Sequence, residues 1–143
     1  MKSLVILSVV LFAVPLVLTL SEDEIKYLTK LANRCANKTQ SPASDVKHLI
    51  DKDRPIERST KCLYACMYEL FGIINKEGNY APQAIKDLAK LTHVERPEIR
   101  DLLVEIADEC VNIRDEDRCE LASKIVDCAI KAAEERNIDY REL

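Results

Sequence analysis

The chain has 143 residues, with 21 Lys and Arg against 25 Asp and Glu, two glycines, no tryptophan and six cysteines. Its net charge of −4 argues against nucleic acid or an anionic membrane surface as the partner, since both repel an acidic protein. The length allows one domain with a real core and excludes two.

Residues 3–20 carry no charge and follow Met1-Lys2. One basic residue, an apolar run and an abrupt change to Ser21-Glu22-Asp23-Glu24 are the marks of a secretory signal peptide, with cleavage expected near Thr19 or Leu20. The run also approaches the roughly 20 residues of a membrane anchor. Pro15 inside it and the acids straight after it argue against that. Residues 1–20 are read as a leader and 21–143 as one domain. The leader holds one Lys and no acid, so the domain carries 20 basic and 25 acidic side chains, a net −5.

Few glycines and few β-branched runs make the domain all-α. Ser21 is set to cap the first helix and Glu24 to return the bond, with a stripe of Ile25, Leu28, Leu31, Ala32 and Cys35 at helical spacing. Asn37-Lys38-Thr39 at its end is a glycosylation sequon, which argues for a surface position. Ser41-Pro42 reads as a cap and first turn for a short helix through Val46, Leu49 and Ile50. The stretch from Lys61 to Ile74 is apolar nearly all round, so it reads as the buried centre of a helix over 59–75. The turn Lys76-Glu77-Gly78-Asn79 leads to a fourth helix through Ala84, Ile85, Leu88 and Leu91. After Arg96-Pro97, Ile99, Leu102, Leu103, Ile106, Cys110 and Ile113 fall in steps of three and four, predicting a fifth. Asp115-Glu116-Asp117 ends that helix and caps the sixth, whose inner face is Leu121, Ile125, Cys128, Ala129 and Ala132. The sixth is expected to fray over 134–137, ahead of a short tail, 138–143. No internal repeat or low-complexity segment divides the chain.

All six cysteines lie beyond residue 20, and an even count in a small secreted chain favours three disulfides. Zinc would need Cys-x2-Cys pairs or nearby histidines, and the chain has neither. Cys62 and Cys66 lie one turn apart on one helix, where a bond between them would distort it. Cys119 and Cys128 are about 13 Å apart along another, beyond disulfide reach. Of the 15 pairings that six cysteines allow, these two exclusions leave ten.

Cys35, 26 residues, Cys62-x3-Cys66, 43 residues and Cys110-x8-Cys119-x8-Cys128, behind a signal peptide, resemble the insect odorant-binding and pheromone-binding protein family. The x3 and both x8 spacers match that family's pattern, the 43-residue gap sits toward its long side, and the likeness covers all of the mature chain. The resemblance implies a six-helix single domain around an apolar cavity, stapled by the interlocked bonds Cys35–Cys66, Cys62–Cys119 and Cys110–Cys128. It also implies a secreted protein without cofactor, a monomer or weak homodimer, that carries a small hydrophobic molecule through aqueous fluid. A membrane chemoreceptor is the downstream partner it suggests.

Staples let a shell tolerate a hollow that a guest then fills, because each disulfide contributes about 2–4 kcal/mol by restricting the unfolded chain. Helical phase names the lining as Leu70, Phe71 and Ile74, Ile85 and Leu88, Leu102 and Ile106, and Ile125 and Ala129. Met67 suits an adaptable wall and Tyr68 a polar handle. Ordinary core residues at these positions have the same signature in sequence. The tail, short for a full helix inside the cavity, offers Ile138 and Tyr140 as a lid. The two histidines, His48 and His93, are the groups able to lower ligand affinity between pH 7 and pH 5.

As an enzyme the chain is poorly equipped: it has no G-x-S-x-G elbow, no H-E-x-x-H and no glycine-rich phosphate loop. The rival to a carrier is a secreted protein recognised by its outer surface, a signal or a salivary or venom component, marked by an exposed apolar patch and no shielded cavity. A saposin-type domain also has six cysteines, but its paired end-to-end pattern departs from the spacing here.

Overall fold

The computed structural model describes residues 21–143, so the expected leader and its cleavage point lie outside the described residues. Among these residues there are six α-helices, α1 Glu22–Thr39, α2 Ala43–Ile50, α3 Arg58–Leu70, α4 Pro82–Thr92, α5 Pro97–Glu109 and α6 Arg118–Glu134, then a 3-10 turn, Tyr140–Glu142. The one piece of β-pairing among them is an isolated antiparallel bridge between Ile74 and Tyr80.

The expected capping box opens α1. The Glu24 N–H donates to Ser21 Oγ at 3.2 Å, and the Ser21 N–H donates to Glu24 Oε2 at 3.0 Å. At the start of α2 the register moves by one residue: Pro42 is the cap, and Ser41 Oγ instead donates to the Ser59 carbonyl. The Asp117 carboxylate caps α6 by accepting from the N–H groups of Cys119 and Glu120.

The central helix is shorter than the apolar run suggests. It stops at Leu70 because Gly72 takes a left-handed φ of +75°. The Ile73 N–H then reaches the Tyr68 carbonyl at 2.8 Å and the Gly72 N–H the Glu69 carbonyl at 3.2 Å, the paired bonds of a glycine-terminated helix end. Ile73 and Ile74 therefore leave the helix and feed the bridge to Tyr80. Nor is α3 buried all round: Leu63, Tyr64, Ala65, Cys66 and Met67 are buried, but Leu70 stays 50% exposed. Similarly, α5 ends at Glu109, and Ile113 falls in the turn beyond it. The end of α6 does not fray into solvent; Asn137 adopts φ +56° and the Ile138 N–H closes onto the Ala133 carbonyl.

Two apolar clusters meet at α3. Leu63, Cys66 and Met67 join Ala32, Cys35, Ala36 and Val46 of α1 and α2. Tyr64 and Ala65, one step round the helix, join Leu121, Ala122, Ile125 and Val126 of α6 together with Ile73, Ile74, Tyr80 and Ile106. The three disulfides lock this arrangement. Cys35–Cys66 ties α1 to α3, Cys62–Cys119 ties α3 to α6, and Cys110–Cys128 ties the end of α5 to α6, with Cα separations of 5.7, 4.4 and 6.0 Å. This is the interlocked pairing that the family resemblance implies.

Candidate ligand cavity

Between α3, α4, α5 and α6 the main cluster is not filled. A space of about 110 Å³ lies among Tyr68 of α3, Ile73 and Tyr80 of the turn beyond it, Ile85 of α4, Leu103, Ile106 and Ala107 of α5, Cys110, and Ile125 and Ala129 of α6. Tyr140 and Leu143 of the tail complete its lining. A wider and more open cleft, about 490 Å³, runs between Glu77–Asn79 and Ile113–Glu116. Its rim holds Glu77, Arg114, Asp115 and Glu116, so it suits water better than an apolar guest. Tyr80 borders both spaces, while the α6 side chains Leu121 and Ile125 line the cleft and the inner cavity respectively.

The polar atoms of the inner cavity come from phenols. The Tyr80 hydroxyl is committed, donating to the Ala107 carbonyl at 3.0 Å. Behind the cavity, the Tyr64 hydroxyl donates to the Asp53 carbonyl, and its ring stands edge-on to that of Tyr68, with centroids 6.2 Å apart. The hydroxyls of Tyr68 and Tyr140 face one another across the cavity wall. Burial pushes the Tyr68 phenol well above its ordinary value, with Tyr140 adding to the effect, and burial raises Tyr140 as well. Tyr80 is pushed up to about 12, by burial first and then by Asp108. All three phenols are therefore neutral at physiological pH, and the lining carries hydroxyls but no charge.

The tail is held from outside. An Arg141 guanidinium nitrogen lies 3.1 Å from Asp53 Oδ1, Lys52 Nζ donates to the Arg141 carbonyl at 3.3 Å, and the Arg141 N–H donates to the Asp139 carboxylate at 2.9 Å. The other oxygen of Asp53 lies 2.9 Å from His48 Nδ1. His48 and Arg141 hold the Asp53 carboxyl below the usual carboxylate range, His48 contributing most. His93 stands apart at the end of α4, where burial lowers its pKa and Arg96 and Lys52 lower it further. Neither histidine borders the cavity.

Of the residues chosen from helical phase, Tyr68, Ile85, Ile106, Ile125, Ala129 and Tyr140 border this space. Met67 does not: one residue from Tyr68 is about 100° of helix, and it turns into the α1–α2 cluster. Leu70 faces solvent, Phe71 is partly buried against both clusters, and Ile74 is buried in the main cluster beside the bridge. Leu88 and Leu102 pack on the main cluster without reaching the space, and Ile138 lies outside its lining. Phase missed Ile73, Tyr80, Leu103, Ala107, Cys110 and Leu143. Leu103 and Ala107 carry a usable signal, being four apart on the α5 stripe. Ile73 and Tyr80 sit in a turn where helical phase has no meaning.

The chain was compared with known proteins. A family model described as the PBP/GOBP family matches residues 19–132. The chain is 29% identical over 107 residues to general odorant-binding protein 69a of Drosophila melanogaster, covering 74% of this chain and 68% of that protein. It is 26% identical over 127 residues to general odorant-binding protein 28a of the same organism, covering 87% and 89%. Among solved structures, odorant-binding protein 28a from Drosophila melanogaster superposes with a TM-score of 0.69 at 24% identity, covering 82% of this chain and 98% of that one. Fatty acid binding protein OBP56a from the oral disk of the blowfly Phormia regina superposes with a TM-score of 0.63 at 22% identity, covering 82% and 97%.

Proposed function

The chain belongs to the PBP/GOBP family, and from that premise we propose that it is a secreted carrier that takes a small apolar molecule into the cavity between α3, α4, α5 and α6 and conveys it through aqueous fluid. The observation that carries the reading is the cavity itself: an apolar lining whose polar groups are the uncharged hydroxyls of Tyr68, Tyr80 and Tyr140. Apolar walls supply affinity by removing the guest from water, and one or two hydroxyls orient it. The relatives' names as odorant-binding proteins support the same class of guest.

At about 110 Å³ the cavity is smaller than the 300–1,000 Å³ of ordinary ligand pockets, so a guest of that class needs it to widen. A volatile of several carbons enters by displacing the tail or spreading the walls. The tail is the cheap element to move, because its outer ties are exposed polar contacts. Release to a membrane chemoreceptor is the downstream step this reading suggests. The apolar leader and the three disulfides support secretion, since such bonds persist in oxidising compartments. No helix among the described residues is long and apolar enough to cross a membrane. The chemistry supported is binding and transport, with no catalytic step and no cofactor.

The test is displacement of a fluorescent apolar probe by small volatiles and fatty acids from the oxidised chain without residues 1–20. Micromolar saturable binding, about −8 kcal/mol, is expected. Ala129→Phe, which fills the space from α6, removes it while the helical circular dichroism persists. Saturable binding that survives Ala129→Phe unchanged, or no binding by a protein carrying all three disulfides, refutes an internal site and favours recognition through the outer surface.

A further inference from the structure

We propose that Asn37 is a site of N-linked glycosylation, an inference that rests on the secreted reading above because the modification requires passage through the secretory route. Asn37-Lys38-Thr39 is the one N-x-S/T sequence in the chain, and no proline interrupts it. The structure places Asn37 in the last turn of α1, exposed together with Asn33, Arg34 and Lys38, while Ala32, Cys35 and Ala36 turn inward. A bulky hydrophilic group there meets solvent. It also leaves the cavity clear, since no residue of α1 borders that space.

The transfer joins Asn37 Nδ2 to the anomeric carbon of an oligosaccharide carried on a lipid diphosphate. The anomeric C–O bond breaks, the lipid diphosphate leaves with its electron pair, the amide gives up one proton, and no electrons are exchanged. A transferase must meet the Asn37 amide and the Thr39 hydroxyl together. On a finished helix, residues two apart point about 200° from one another, so α1 cannot present both to one site. The Thr39 hydroxyl is in any case turned inward, donating to the Cys35 carbonyl at 2.9 Å and bonded to Ser41 Oγ at 2.6 Å. The oligosaccharide is therefore added to the extended chain, before α1 closes and before Cys35, two residues away, pairs with Cys66.

The experiment is expression of the full chain in insect cells, once with its own residues 1–20 and once behind a surrogate secretory leader. Intact mass of the secreted protein is measured before and after peptide N-glycosidase treatment. With the surrogate leader we expect an oligosaccharide-sized excess mass that the glycosidase removes, converting Asn37 to aspartate, and that both Asn37→Gln and Thr39→Ala abolish. Secreted protein with three disulfides and only the unmodified mass overturns the proposal, as does an excess mass that persists in Asn37→Gln. The arm with the chain's own residues 1–20 reports separately on secretion: retention in the cell there, beside a glycosylated product from the surrogate arm, counts against the leader and not against Asn37.

Discussion

Arg141→Ala tests whether the tail gates the cavity. The substitution leaves Tyr140 and Leu143, the tail residues that line the space, and removes only the guanidinium that reaches Asp53 Oδ1 at 3.1 Å. Arg141 is 62% exposed and Asp53 32%, so the pair contributes about 0.2–1 kcal/mol. At the upper end that is roughly a fivefold change in the equilibrium between docked and undocked tail. If release waits on undocking, the dissociation rate of a bound apolar probe rises by up to about fivefold, about 1.4-fold at the lower end of that range, while unfolding stability drops by no more than about 1 kcal/mol. Stopped-flow dilution of the probe complex measures the first, and denaturant unfolding the second. Asp53→Asn removes the same pair from the other side, and the double variant then behaves like either single one, because both delete one bond. A dissociation rate unchanged in Arg141→Ala, or effects of the two substitutions that simply add, refutes the gate.

Three further outcomes follow from other parts of the fold. Removing Cys62–Cys119 by paired Ser substitution costs about 4 kcal/mol and removing Cys110–Cys128 about 3, because the residues joined are 57 and 18 apart in sequence. Equal losses in denaturant unfolding defeat the loop-entropy account. Gly72→Ala costs about 1–2 kcal/mol through the left-handed φ alone, since a Cβ there meets only Ala84 Cβ at an ordinary 3.9 Å; a neutral result contradicts that backbone strain. Stability also falls as pH drops through about 6.5, because His93 is half-buried near Arg96 and Lys52, with only Glu24 opposing them, so the unfolded chain takes up that proton more readily. His93→Gln removes this slope. The Asp53 pair moves the same way but at lower pH: its folded pKa is lowered, so its contribution is intact above about pH 4 and is lost only as pH falls through that lowered value. Because the Asp53 carboxyl is held below the usual carboxylate range, it stays charged at pH 5, and acidification to that pH does not by itself neutralise the Asp53–Arg141 contact.

The helix count and type could be read from periodicity and caps because those signals are local. Ser21 with Glu24, and Asp117 ahead of Cys119 and Glu120, are complete within four residues of chain. The central helix was overextended for an equally physical reason. Apolar pattern runs unbroken through Gly72, and only the left-handed conformation of that residue turns Ile73 and Ile74 out of the helix. The disulfide partners were not accessible to spacing, which leaves ten pairings open; the likeness to a family supplied them. The cavity was half legible. Ile85, Ile106, Ile125 and Ala129 lie on inward stripes, but a stripe does not say whether its residue meets another side chain or an empty volume. Leu88 and Leu102 have the same phase and pack solidly. Tyr80 and Leu143 reach the space from a turn and a tail, where only tertiary placement assigns a side.

The α4–α5 hairpin is mounted like a door. Among the described elements, the backbone of α4 comes close to that of α5 alone. At one end of the hairpin, the Ala81 N–H donates to the Ile73 carbonyl at 2.8 Å beside the Ile74–Tyr80 bridge. At the other, Cys110 is bonded to Cys128. Those two fixings lie at the same end of the pair; the loop 93–96 at the far end has neither, and His93 there lies near the charged side chains of Lys52 and Glu24 without a bond to them. Arg136, just past α6, adds ion pairs to Glu105 and Glu109 of α5. A swing about the line joining the two fixings that moves Ile85, Leu103 and Ile106 away from Ile125 and Ala129 loosens these surface ion pairs but breaks no covalent bond and no helical hydrogen bond. On the carrier reading proposed above, the internal volume is then set by a hinge angle and not by a fixed wall, and a longer guest calls for a wider angle.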